Sequence, residues 1–126
     1  MGPIDIQMER LRARAGEVAV QEIAGTGLVL RVPTVPLPAG WSKQQTGIAF
    51  VAPQGYPFAK PDCFWTDQDL RLANGNMPQN AQLNNPIPGL PDPLLWFSWH
   101  VEPWNPNRDD LVTWFTVIKR RFAQVQ

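Results

Sequence analysis

A single cysteine, at position 63, and a single histidine, at position 100, are all that these 126 residues hold of the two side chains most used in nucleophilic and metal chemistry. One thiol cannot close an internal disulfide, and one Cys with one His cannot complete the four-ligand set of a structural zinc site. An excess of charge of either sign is also missing. Eleven basic residues face eleven acidic ones, which gives no electrostatic case for nucleic acid as the main partner, since that usually needs a basic patch. No apolar run is long enough to span a bilayer and no basic-then-apolar leader stands at the start, so a cytoplasmic location without a membrane partner is expected. No phosphate-binding glycine loop occurs either, because Gly25-Thr26-Gly27 lacks the helix that would have to follow it. The expectation is a protein with neither metal nor cofactor.

Proline and aromatic residues, by contrast, are abundant. Fourteen prolines and nine glycines could dissolve a chain into disorder, but six tryptophans and six phenylalanines supply a core. A single packed domain over residues 1–126, its loops stiffened by proline, follows from that balance.

Along the chain, Ile4, Met8, Leu11 and Ala15 recur at helical spacing with Arg10, Arg12 and Arg14 on the other side, and Gly16 ends this first helix. Val18, Val20 and Ile23 alternate over 17–23, Gly25-Thr26-Gly27 turns the chain, and Leu28 to Val32 returns it as a hairpin. Pro33, Pro36, Pro38 and Gly40 form a rigid connection to a third strand, about Gln45 to Ala52. The stretch Gly55-Tyr56-Pro57-Phe58-Ala59-Lys60-Pro61-Asp62-Cys63-Phe64-Trp65 then has to bend, since each proline fixes φ and lacks an N–H. A fourth strand follows at Cys63 to Thr66, and four sequential strands imply an antiparallel meander. Residues 67–95 read as a long ordered loop, followed by the aromatic block Leu94 to His100. Leu111, Trp114, Phe115, Ile118 and Phe122 mark a closing helix capped by Asn107, with Asp110 in its first turn.

This α+β order of helix, four-stranded meander, long loop and helix resembles the ubiquitin-conjugating (UBC) fold. In that family the bend commonly reads Tyr-Pro-Phe, then Pro, then an apolar strand ending near Thr; Tyr56-Pro57-Phe58, Pro61 and Phe64-Trp65-Thr66 stand at comparable places. Trp104-Asn105-Pro106 before the closing helix is similar to the family's Trp and Pro after its active-site segment. The wording at Leu70-Arg71-Leu72-Ala73, Trp96-Phe97-Ser98-Trp99-His100 and Trp104-Asn105-Pro106-Asn107 resembles a divergent bacterial branch associated with ubiquitin-like conjugation operons. The resemblance implies two partners, an activating enzyme and a ubiquitin-like protein, and a role in accepting or presenting the latter's C-terminus. It also implies that the first helix, with Arg10 and Arg14, meets the activating enzyme.

The departures from that family are as informative. No His-Pro-Asn element occurs, and placing Asn74-Gly75 on the family's glycine puts Pro78 near the usual cysteine. Either the chain is a non-catalytic interaction module or its chemistry has moved. Cys63 is then the one thiol able to carry an acyl group, and His100 the one imidazole able to assist it. Each has a structural alternative, as a small buried strand residue and as a hydrogen-bonded histidine among aromatics. Ser98 and Thr66 could carry an oxyester, but nothing local activates them. Asp67, Asp69, Asn74, Asn76 and Asn80 are oxyanion or amine-orienting candidates or, alternatively, turn formers. Tyr56, Phe58, Trp96 and Trp104 are the binding-surface candidates, with packing within a scaffold as the alternative.

Overall fold

The computed structural model describes residues 3–126 and begins with helix α1 (Pro3–Ala15), which buries Met8 and Leu11. Gly16 closes it in the left-handed region at φ 84°, its N–H reaching the Arg12 carbonyl at 2.9 Å. Strands β1 (Ala19–Ile23), β2 (Gly27–Pro36), β3 (Gln45–Pro53) and β4 (Phe64–Asp67) follow as an antiparallel meander. The β1–β2 turn requires glycine at position 27. There φ is 127° and a Cβ would stand 2.3 Å from the Ala52 carbonyl oxygen of β3.

Two further strands, β5 (Ala81–Gln82) and β6 (Leu94–Phe97), extend the sheet out of sequence order, so that six strands among the described residues run in the order β1-β2-β3-β4-β6-β5. The aromatic block beginning at Leu94 is thus a strand paired with β4, Phe64 opposite Phe97 and Trp65 opposite Trp96. Helix α2 (Leu111–Ala123) closes the fold.

Alternation divides the sheet's contacts into two layers. Leu30, Val32, Ile48, Phe50, Phe64, Leu95 and Phe97 belong to the larger core, shared with Met8 and Leu11 of α1 and Leu111, Trp114, Phe115, Ile118 and Phe122 of α2. Phe122 meets the stacked pair Phe64 and Phe97 edge-on, at 5.7 and 6.2 Å between ring centroids, and Trp41 at 5.8 Å. Val29, Ala49 and Trp65 form the second cluster, covered by the loop over 83–93 through Ile87 and Leu90. The Trp65 indole N–H donates to the Asn85 carbonyl at 2.7 Å and fastens that loop down.

Several local expectations are corrected. Strand β2 continues to Pro36 because the register shifts between Val32 and Val35, and a bulge there accommodates Pro33, which has no N–H for the ladder. The cap of α2 is Asp110, not Asn107. Asp110 accepts the Thr113 N–H at 3.0 Å while the Thr113 hydroxyl accepts the Asp110 N–H at 3.1 Å, a reciprocal box. Strand β4 begins at Phe64, and Cys63 lies just outside it with φ 62°, a left-handed conformation uncommon for a residue with a Cβ.

Candidate functional site

Proline and backbone geometry together place the only thiol. Pro61 is buried beneath the bend and β4 starts at Phe64, so Asp62 and Cys63 form a two-residue link between bend and strand. In extended backbone, neighbouring side chains point to opposite faces. The left-handed turn at Cys63 breaks that alternation. The Cys63 N–H donates to the Trp99 carbonyl at 2.9 Å, pinning the link to the residue before His100. Asp62, Cys63 and His100 converge as a result: a carboxylate oxygen, the Sγ and a ring nitrogen all lie within 4.8 Å of one another.

His100 Nδ1 stands 2.5 Å from Asp62 Oδ1. A carboxylate can only accept, so Nδ1 carries the proton and Nε2 keeps the lone pair when the ring is neutral. Both side chains are more than half exposed, whereas Cys63 is 8% exposed. Burial raises the Cys63 thiol above its ordinary range. The negative charge of Asp62 adds to the rise, while hydrogen bonds from Trp99 and Trp96 oppose it. At rest the sulfur is a protonated, nearly covered thiol beside an exposed Asp–His pair. Nearby, Lys60 donates to the Val101 carbonyl at 2.9 Å and pairs with Glu102 at 2.5 Å. That pair holds the Glu102 carboxyl below its ordinary range, with a smaller contribution from His100.

The sequence thus named two of the three residues that meet and missed Asp62. An acid beside the only thiol was its available signal; its pairing with a histidine 38 positions away was not.

The remaining candidates lie elsewhere. Tyr56 is half-buried, donates its hydroxyl to Gln7 Oε1 and lies 6.3 Å from the Trp104 ring. Burial, with the charge of Asp110 adding, raises its phenol well above the ordinary value. Phe58, at the tip of the same turn, is 82% exposed. Trp96 packs against the second cluster, on the other layer of the sheet from Phe97. Arg10 is exposed and reaches Asp110 at 3.8 Å, and Arg14 is exposed. Thr66 is buried and donates to the Asp67 carbonyl. Asp67 and Asp69 both bind Lys43, at 2.8 and 3.0 Å. Asn74 accepts the Asn76 N–H in a local turn, and Asn80 takes a left-handed φ of 63°.

Pro78, the residue nearest the usual nucleophile position by resemblance, is buried. Its neighbour Gln79 is bound on both sides, its carbonyl accepting from Arg121 at 2.8 Å and its N–H donating to the Gln126 carbonyl at 3.3 Å. Just beyond, the Ser98 N–H donates to the Asn80 carbonyl at 2.8 Å, with β6 lying between β4 and β5. The start of β4, which Cys63 immediately precedes, is therefore two strand spacings from the end of this loop, roughly 10 Å.

An N-terminal helix, an antiparallel meander with a proline-bounded bend before its fourth strand, a long ordered loop and a closing helix define an α+β domain of the ubiquitin-conjugating type. The chain belongs to prokaryotic E2 family E, which it matches over residues 9–125. That membership indicates an E2-like role in a conjugation pathway. Neither a curated protein nor a solved structure matches the chain. Among the described residues, no helix is long and apolar enough to cross a membrane.

Proposed function

We propose that this protein is the carrier of a ubiquitin-like conjugation pathway and that Cys63 accepts the ubiquitin-like C-terminus from an activating enzyme. The observation that supports this reading is the convergence of Asp62, Cys63 and His100 within 4.8 Å. Asp62 would orient His100 through Nδ1, leaving Nε2 as the base. His100 takes the proton from the thiol as the sulfur attacks the thioester carbonyl held by the activating enzyme. The new S–C bond forms, the old one breaks, and the released enzyme thiolate recovers a proton. The left-handed backbone at Cys63 fits such a role, since strained residues concentrate at working sites. Exposed Phe58 and the Arg10 and Arg14 side of α1 are the proposed docking surface for the activating enzyme, with Tyr56 and Trp104 supporting the surface from behind; Trp96, on the other layer of the sheet, has no part in it.

The test combines the protein with an activating enzyme, its ubiquitin-like substrate and ATP, and measures intact mass. A reductant-sensitive adduct that disappears in Cys63→Ala is expected. A second reading, a non-catalytic E2-like module that binds and presents the ubiquitin-like protein, is favoured by the near-complete burial of the thiol. It predicts partner binding without an adduct, and that outcome would displace the carrier reading.

A further inference from the structure

We propose that Asp62, Cys63 and His100 form a binding site for a zinc-like divalent cation, whose occupancy masks the Cys63 thiol. This goes beyond the carrier role and does not depend on it. A count of cysteine and histidine alone excludes a closed four-ligand zinc site, but that count leaves out the carboxylate. Cysteine sulfur, imidazole nitrogen and a carboxylate oxygen are the three donor types zinc takes, at roughly 2.0–2.3 Å from the metal. Donors at such distances stand roughly 3–4 Å apart around a tetrahedral ion. The Asp62, Cys63 and His100 donors already lie within 4.8 Å of one another.

The adjustment this requires is small and falls on mobile groups. Asp62 and His100 are 52% and 57% exposed as side chains, so each can turn about its own bonds without disturbing the core. Their 2.5 Å contact would open to admit the ion, with the ring proton shifting from Nδ1 to Nε2 or the ring turning to offer Nε2. Cys63 is the fixed member, held by its backbone bond to Trp99 and by the left-handed turn that aims it toward the other two. The exposed side of Asp62 and His100 leaves the fourth position to water.

Proton balance is explicit. The thiol loses its proton on coordination, the imidazole binds as the neutral ring and Asp62 is already ionised, so loading one ion releases one proton to solvent. Glu102 lies close enough to feel the His100 charge but is committed to Lys60. The cluster thus has two anionic donors when loaded and no lysine or arginine ion-paired to either among the described residues.

Cobalt(II) is the direct probe, because it reports ligand type by colour. The full chain titrated with Co2+ is expected to show a thiolate-to-metal charge-transfer band in the near ultraviolet and strong tetrahedral bands in the visible, saturating at one ion per chain. Addition of Zn2+ should bleach both. Asp62→Asn and His100→Gln, both at exposed positions, should weaken the metal by at least the ~10- to 100-fold that loss of a mere supporting hydrogen bond costs. Cys63→Ser, with folding checked by far-ultraviolet circular dichroism, should abolish the charge-transfer band. Zinc should also protect Cys63 from alkylation. Absence of the charge-transfer band in the folded wild-type protein, or a Zn2+ affinity unchanged by Asp62→Asn and His100→Gln, would overturn the proposal. Neither result bears on acyl transfer, which is read separately by adduct mass.

Discussion

Trp104 donates its indole N–H to the carbonyl of Pro57 at 2.8 Å, and so clasps the segment before α2 to the bend before β4. Two stretches of sequence 47 residues apart, each unusual in wording, are thereby one structural unit. Tyr56 completes it, its ring 6.3 Å from that of Trp104 and its hydroxyl on Gln7 of α1. The clasp sets the position of Phe58, which projects from the same turn into solvent.

Replacing the indole by a smaller aromatic ring without a donor probes the clasp. Trp104→Phe is expected to lower stability by about 0.5–1.5 kcal/mol, the net value of one such hydrogen bond together with the carbonyl it leaves unmet. Trp104→Ala should cost more, because the packing against Tyr56 goes too. Urea unfolding of the two variants checks the order; equal losses would mean that the packing against Tyr56 contributes nothing, and wild-type stability in Trp104→Phe that the hydrogen bond contributes nothing.

The cap of α2 offers a second comparison. Asp110 carries both arms of the capping box with Thr113, whereas the Asn107 N–H is already taken by the Asn105 side chain one turn earlier. Asp110→Ala is expected to cost about 0.5–2 kcal/mol, and Asn107→Ala to stay within about 0.5 kcal/mol of wild type. Thermal or urea midpoints of the pair decide it, and a larger loss at Asn107 would place the true start of the helix earlier.

These residues also show what could be read in the chain and what could not. Helical periodicity marked both helices, because Met8 and Leu11, and Leu111 through Phe122, face one core at 3.6-residue spacing. Alternation marked β3 in the same way. The Asn107 assignment failed because asparagine and aspartate three positions apart are equally good caps, and only the tertiary position of the helix start chooses between them. Strand β2 was cut short at Pro33 because proline argues against a strand until a bulge excuses it. Strand β6 looked like a mere aromatic block because both of its faces are apolar, Leu95 and Phe97 toward one cluster and Trp96 toward the other. At the candidate site, Cys63 and His100 stood out as the only residues of their kinds. Asp62 joins them through a backbone turn that no local pattern announced.

Arg121 is a third test, since the residue is 1% exposed and its guanidinium is paired with no side-chain carboxylate among the described residues. Its solvation comes instead from the carbonyls of Gln79, Gln124 and Gln126 at 2.7–2.9 Å and from the rings of Trp41, Phe97 and Trp99. Those bonds tie the end of α2 and the residues after it to the loop at Pro78. Arg121→Met is expected to cost about 1.5–3 kcal/mol, because three part-buried hydrogen bonds lose their charged donor. Arg121→Lys should recover only part of that loss, since one ammonium lacks the planar fork that spans the three acceptors. Hydrogen exchange should show the loop over 76–80 opening in both variants. Wild-type protection there would mean that Arg121 does not hold the loop.

The last prediction concerns alkaline pH, where the Cys63 thiol should report its own burial. Burial, reinforced by the negative charge of Asp62, raises the thiol above its ordinary 9.0 in the folded protein. Below that value the sulfur is protonated in both states and contributes no pH dependence. As pH rises past it, the unfolded chain releases the proton while the folded chain retains it, so the unfolded state binds fewer protons and stability must fall. The loss continues until the folded thiol ionises as well. Tyr56 adds a second decline with the same sign above its ordinary 10.0, driven by burial and then by Asp110. Urea midpoints measured between pH 7 and pH 11 are expected to hold level and then drop in these two stages. Cys63→Ser should erase the first stage and leave the second, and Tyr56→Phe should do the reverse. Alkylation by iodoacetamide gives an independent reading: at neutral pH the folded protein should react more slowly than the urea-unfolded chain, because less of its sulfur is thiolate and less is reachable. Fast alkylation of the folded protein at neutral pH would mean an ionised, accessible thiol, and the His100–Asp62 pair would then be activating Cys63 even without a partner bound.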